Sequence, residues 1–117
     1  MAQIIWTEPA LEDLDEIAEY IALDKPVAAK KLVTQVFDSV KRLKEFPLSG
    51  KVPEGLEDSR YREIVVGPCR IFYRLEGNQV FILYVMRSER LLRNFILNDR
   101  ADNTKGHTLF RKASLRN

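Results

Sequence analysis

Two apolar stripes at helical spacing, joined by a short break, restrict this chain more than any other feature. Leu11, Leu14, Ile17, Ala18 and Ile21 recur at steps of three and four, the spacing that gathers side chains on one face of an α-helix. Glu12, Asp13, Glu16 and Glu19 fall mostly off that face. Thr7 is placed to cap this helix, and Pro9 is tolerated in its first turn. Asp24-Lys25-Pro26 interrupts the pattern. Pro26 suits the first turn of a second helix, whose stripe is Ala29, Leu32, Val33, Val36, Val40 and Leu43, with Phe46-Pro47 as its end. Two one-sided helices so closely joined predict an antiparallel hairpin over 8–23 and 26–45.

A short β-prone run, Ile4-Ile5-Trp6, precedes the hairpin. Three longer ones follow a loop over 47–60 that contains Pro47, Gly50, Pro53 and Gly55: Tyr61 to Val66, Arg70 to Leu75 and Val80 to Met86. Gly67-Pro68 and Gly77-Asn78 separate them, which predicts two hairpins and an antiparallel meander. Ser88 is placed to cap a last helix bearing Leu91, Leu92, Phe95 and Ile96. The fold class is therefore α+β, in the order β-α-α-β-β-β-α, with an antiparallel sheet packed on the helical hairpin. Residues 1–100 form the expected domain, and 101–117, with little periodicity, a C-terminal tail.

A 45% apolar share over 117 residues fits one packed domain and excludes a disordered or collagen-like chain. The longest apolar run, Val80 to Met86, is too short to span a bilayer. The first residues have neither Lys nor Arg nor a long apolar stretch, so no secretory signal is expected. A single Cys fits a reducing cytoplasm. Cys69 and His107 are too few for a zinc site of those ligands, and no metal or cofactor is expected. Cys69, at a hairpin turn without a recognisable base, reads as a small half-buried residue; His107 reads as a solvent-facing tail residue.

The net charge of +2 hides a segregation. Residues 1–24 hold Glu8, Glu12, Asp13, Asp15, Glu16, Glu19 and Asp24 and no base, whereas every base in 60–100 is Arg. Strand alternation turns Ile71, Tyr73 and Leu75 toward the helical hairpin and Arg70, Phe72 and Arg74 to the other side. Arg87 and Arg90 follow the last strand, where the meander is expected to return them to the edge at which Arg70 lies. The expected result is a cationic cluster of Arg70, Arg87 and Arg90 on an open face, with Arg forks available for carboxylate or phosphate. Replacing an exposed member by Ala is expected to leave the fold nearly intact. The bland alternative is ion pairing with Glu63, Glu76 and Glu89.

The order and spacing of Phe46-Pro47-Leu48-Ser49-Gly50, Tyr61-Arg62-Glu63-Ile64-Val65-Val66-Gly67, Arg70-Ile71-Phe72-Tyr73-Arg74, Val80 to Met86 and Arg87-Ser88-Glu89-Arg90 resemble the ParE/RelE superfamily of bacterial toxin–antitoxin toxins, closer to the ParE branch. The resemblance covers residues 3 to about 97. It implies a toxin neutralised by a cognate antitoxin, encoded on a plasmid-stabilising or chromosomal operon, cytoplasmic and without a membrane anchor; a homodimer is compatible with it.

The superfamily has two modes of action, so resemblance alone does not select one. ParE-like members poison DNA gyrase, while RelE-like members cut mRNA on the ribosome. Cleavage of RNA without a metal needs an acid, a base and cations for the phosphate. Arg70 and Arg90 match the two RelE-like arginines. Tyr61 and Glu63 stand where RelE-like members have lysines, and Ile96 stands where they have a tyrosine. ParE-like chains often have His at the position of Arg87. The acid–base groups of the RelE-like members are thus missing from their usual places. That departure implies a non-catalytic gyrase inhibitor with no catalytic residues, whose target- or antitoxin-binding set is Tyr61, Arg70, Phe72, Arg74, Arg87 and Arg90; Arg87 is itself a departure from the ParE-like pattern. The alternatives are an mRNA endoribonuclease, whose partners are ribosome and mRNA, and a degenerate non-toxic member that only binds antitoxin.

Overall fold

The computed structural model of the chain describes residues 1–57, 59–87, 100 and 110–112. Strand β1 (Gln3–Thr7) leads into helices α1 (Glu8–Ala22) and α2 (Pro26–Lys41), and α2 tightens into a 3-10 turn over Arg42–Lys44. Three strands follow, β2 (Tyr61–Val66), β3 (Cys69–Glu76) and β4 (Gln79–Arg87), and a short β5 (Phe110–Lys112) lies beyond them. The sheet order is β2-β3-β4-β1-β5.

Thr7 turns the first strand into the first helix. Its Oγ1 accepts from the Ala10 N–H at 3.4 Å, capping α1, and donates to the Ile82 carbonyl at 2.7 Å, tying the cap to β4. The apolar stripes of α1 and α2 then pack on one face of the sheet. Trp6, Leu11, Leu14, Val36, Val40, Ile71, Tyr73 and Ile82 are among the residues of this core. Trp6 is fully buried, with Phe37 tilted against it at 4.9 Å between ring centroids. Each large apolar side chain so enclosed is worth about 1.5–3 kcal/mol.

The α+β class and the helical hairpin stand as the sequence predicts. The β2–β3–β4 meander is antiparallel, and Gly67 and Gly77 take φ of 56° and 60°. A two-residue hairpin turn needs that left-handed region at its first central position, and only glycine adopts it without strain. β1 joins β4 in parallel, from Gln3↔Gln79 to Trp6↔Ile82, so the whole sheet is mixed. A parallel neighbour requires a long connection, and the two helices with the meander supply it. β5 pairs antiparallel with β1 from Ile5↔Lys112 to Thr7↔Phe110, so three residues of the expected tail extend the sheet. The last helix predicted after Ser88 lies outside the described residues, as does His107. No helix among the described residues is long and apolar enough to cross a membrane.

One irregularity decides which side chains share a face. Phe72 pairs with Tyr84 but Tyr73 pairs with Ile82, so Leu83 is an extra residue in β4, a β-bulge. Before it Val80 and Ile82 face the helices; after it Val85 does. The alternation of β4 reverses at this point. The opposite face is closed by a second, smaller core of Ile5, Leu56, Tyr61, Phe72, Phe81, Leu83 and Met86.

Candidate functional site

Arg70 projects from the face opposite the helical hairpin, and it is already engaged. Its Nε lies 2.8 Å and its NH2 3.3 Å from the two carboxylate oxygens of Glu63, and its guanidinium sits 4.9 Å over the Phe72 ring. The Glu63 side chain is 2% exposed and that of Arg70 20%. Register accounts for the pair: Val65 is opposite Arg70 and Glu63 opposite Phe72, so the two charges meet diagonally on one face. Lys51 adds a second, looser cation 3.9 Å from Glu63.

The rest of the expected binding set is placed differently. Tyr61, Phe72 and Arg74 do face away from the hairpin, but they are buried rather than presented. The cause is the second core, in which Leu56 of the 47–60 loop packs with Tyr61 and Phe72. Arg74 pairs there with Glu76. Arg87 lies on the other side of the sheet, 5.4 Å over the ring of Tyr20 in α1. Uninterrupted alternation would have put Arg87 on the face of Phe81, and hence of Arg70; the extra Leu83 turns it over. Arg70 and Arg87 therefore do not form one cluster. Arg90 lies outside the described residues.

Arg87 instead borders a groove between α1 and β4, lined by Asp13, Glu16, Ile17, Tyr20 and Val85. At its inner end Asp13 accepts from the Val85 N–H at 3.0 Å and pairs through both carboxylate oxygens with Arg100. Arg100 also donates to the Leu83 carbonyl at 3.1 Å and covers the Tyr84 ring at 4.2 Å. These contacts satisfy the backbone of β4 just past the last residue of β4 that β1 pairs, Ile82. Burial pushes the Asp13 carboxyl above its usual range, against the opposing pull of Arg100 and of the Val85 N–H.

A third feature was not visible as a site in the sequence. The Tyr73 hydroxyl donates to the Pro47 carbonyl at 2.7 Å and accepts from the Gly50 N–H at 3.0 Å. Arg62 holds the same loop by donating to the carbonyls of Leu48 at 3.2 Å and Gly50 at 2.9 Å. A Cβ at Gly50 would come within 2.6 Å of the Tyr73 hydroxyl and 2.8 Å of the Glu63 carbonyl, so the backbone approaches closer than any other residue allows. Burial raises the Tyr73 hydroxyl above its ordinary value of 10.0, although the Gly50 N–H and Arg62 oppose the rise. The latch delivers Lys51 to the edge of β2, where it exchanges two backbone hydrogen bonds with Glu63, and leaves Phe46 and Leu48 exposed. Cys69, expected half-buried, is fully buried and unable to serve as an accessible thiol.

Comparison with known proteins gives these arrangements a context. Residues 4–92 match the family described as the ParE toxin of the type II toxin–antitoxin system parDE. A Caulobacter vibrioides protein named Toxin RelE2 is 33% identical over 92 residues, which is 78% of this chain and all of that protein. A Sinorhizobium fredii chain named as a toxin, Y4kP, is 38% identical over 88 residues, 75% of this chain and 90% of the other. Among solved structures, the chromosomal ParDE toxin–antitoxin system from P. aeruginosa superposes with a TM-score of 0.66 at 26% identity, covering 76% of this chain and 98% of the other.

Proposed function

The chain belongs to the ParE toxin family of type II toxin–antitoxin systems, and from that premise we propose that it is a ParE-like inhibitor that binds DNA gyrase in the cytoplasm and is held in check by a cognate antitoxin. The observation that supports binding over RNA cleavage is the state of Arg70. A site that cleaves a phosphodiester needs cations free to take up developing negative charge. The Arg70 fork is filled by Glu63, a carboxylate that is 2% exposed, and a phosphate brought to Arg70 would face that anion. The two positions at which the RelE-like resemblance implies lysines hold this same Glu63 and the buried Tyr61. On this reading Arg70 shapes the surface, and Arg87, on the α1 side, takes part in recognition.

The test pairs two assays on the purified protein. Supercoiling by gyrase is expected to fall with accumulation of cleaved DNA, while mRNA in a translating extract stays intact. Cut mRNA with unaffected gyrase would establish the RelE-like reading instead, which identity to the protein named RelE2 favours. Inactivity in both assays would leave an antitoxin-binding member without toxicity.

A further inference from the structure

The helical hairpin has a second groove, between α1 and α2 themselves, with no residue of the sheet in its lining. Ala18 and Ala22 of α1 and Pro26, Val27, Ala29 and Val33 of α2 form its apolar floor. Val27 is 79% exposed, and Leu23, next to Ala22 at the hairpin tip, is 85% exposed. The two rims differ in sign. Glu19 stands on α1 and Lys30 on α2, both exposed, and neither takes part in an ion pair among the described residues. The division extends along the helices: every exposed charge of α1 from Glu12 to Glu19 is acidic, whereas Lys30 and Lys31 lie side by side on α2.

We propose that this groove is the interface of a homodimer, in which a second copy of the chain lays its hairpin face to face on the first. In a two-fold dimer one surface meets itself, so it must complement itself. An axis running along the groove sets α1 of each copy over α2 of the other, antiparallel, as in a four-helix bundle. Glu19 then faces Lys30 of the second copy, twice by symmetry, and the apolar floors close on each other with Leu23 and Val27 tip beside tip. An axis across the groove would set α1 on α1, acid against acid. Charge therefore selects the first arrangement. It also gives the one-signed face of α1, which repels itself in a lone chain, a cationic surface to meet. The pairing holds whichever target the chain acts on.

Sedimentation equilibrium of the full chain tests this on the wild type, Glu19→Lys and Lys30→Glu. The wild type is expected to dimerise. Each variant alone sets like charges opposite each other at both symmetric positions, and its dissociation constant is expected to rise roughly tenfold or more with unchanged circular dichroism. Mixed together, the two variants restore opposite charges at both positions, so a heterodimer of wild-type strength is expected. Added salt should narrow these differences. Val27→Asp alters the floor alone; it is expected to weaken the dimer by a similar factor and keeps the test open should a charge variant not fold. A wild type that stays monomeric to about 1 mM would overturn the proposal. If both charge variants then also bound the small protein encoded beside this chain's gene more weakly, the groove would belong to that partner. A dimer indifferent to all three substitutions, or folded charge variants that fail to recover on mixing, would overturn it in favour of another face.

Discussion

The Arg70 guanidinium forks onto the Glu63 carboxylate across neighbouring strands, and the carboxylate is the more deeply buried member of the pair. An exposed arginine could be removed with little effect. Here truncation leaves a buried charge whose remaining cation, Lys51, is 3.9 Å away and largely in solvent. Breaking a buried pair from one side costs about 3–5 kcal/mol. Arg70→Ala is therefore expected to lower the melting temperature by roughly ten degrees or more, and Arg70→Met with Glu63→Leu to recover most of the loss. A single mutant that melts with the wild type would refute the buried pairing.

The Tyr73–Gly50 contact predicts two losses of different kinds. Tyr73→Phe removes a donor and an acceptor from a buried latch, leaving the Pro47 carbonyl and Gly50 N–H without it. The cost is about 1–3 kcal/mol. Gly50→Ala forces the loop away from β3, because its Cβ meets both the Tyr73 ring and the Glu63 backbone. It should be at least as destabilising, and proteolysis within 47–51 should accelerate. Denaturant midpoints and a timed protease digest measure both.

The helices were legible in the sequence because periodicity reports directly which face is buried, and Thr7 and Pro26 mark their starts. The meander was legible because Gly67 and Gly77 are where a positive φ is required. The bulge was not. Phe81, Ile82, Leu83 and Tyr84 are all apolar or aromatic, and no glycine or proline flags the extra residue, so nothing local reveals that Arg87 changes sides. The second core was equally hidden, since it depends on Leu56, a lone apolar residue in a loop, reaching Tyr61 and Phe72. The Glu63–Arg70 pair could be anticipated as one of several surface pairings, but its burial follows from that same core.

Tyr20 and Arg87 should behave as a surface pair. Tyr20 is 64% exposed and the guanidinium stands 5.4 Å from its ring. An exposed cation–π contact is worth about 0.5–1 kcal/mol. Tyr20→Ala is expected to lower stability by no more than that, and Tyr20→Phe by nothing measurable. A melt that drops as far as that of Arg70→Ala would show that Tyr20 supports the fold beyond this contact.

Asp13 predicts a pH dependence of unusual sign for a paired carboxylate. Burial is the largest influence on it and raises its folded value above 3.8, outweighing Arg100 and the Val85 N–H. A group that holds its proton more tightly when folded stabilises the fold in its protonated form. Its contribution is therefore greatest below the unfolded value, declines as pH rises through the folded one, and then levels off. Asp13→Asn removes the titration while leaving an oxygen to accept from Val85. Urea unfolding of the two proteins across this range should show the wild type losing ground relative to Asp13→Asn as pH climbs from 3.8 toward neutrality. A stability difference that stays constant, or that moves in favour of the wild type, would mean that the pairing with Arg100 outweighs desolvation at this site.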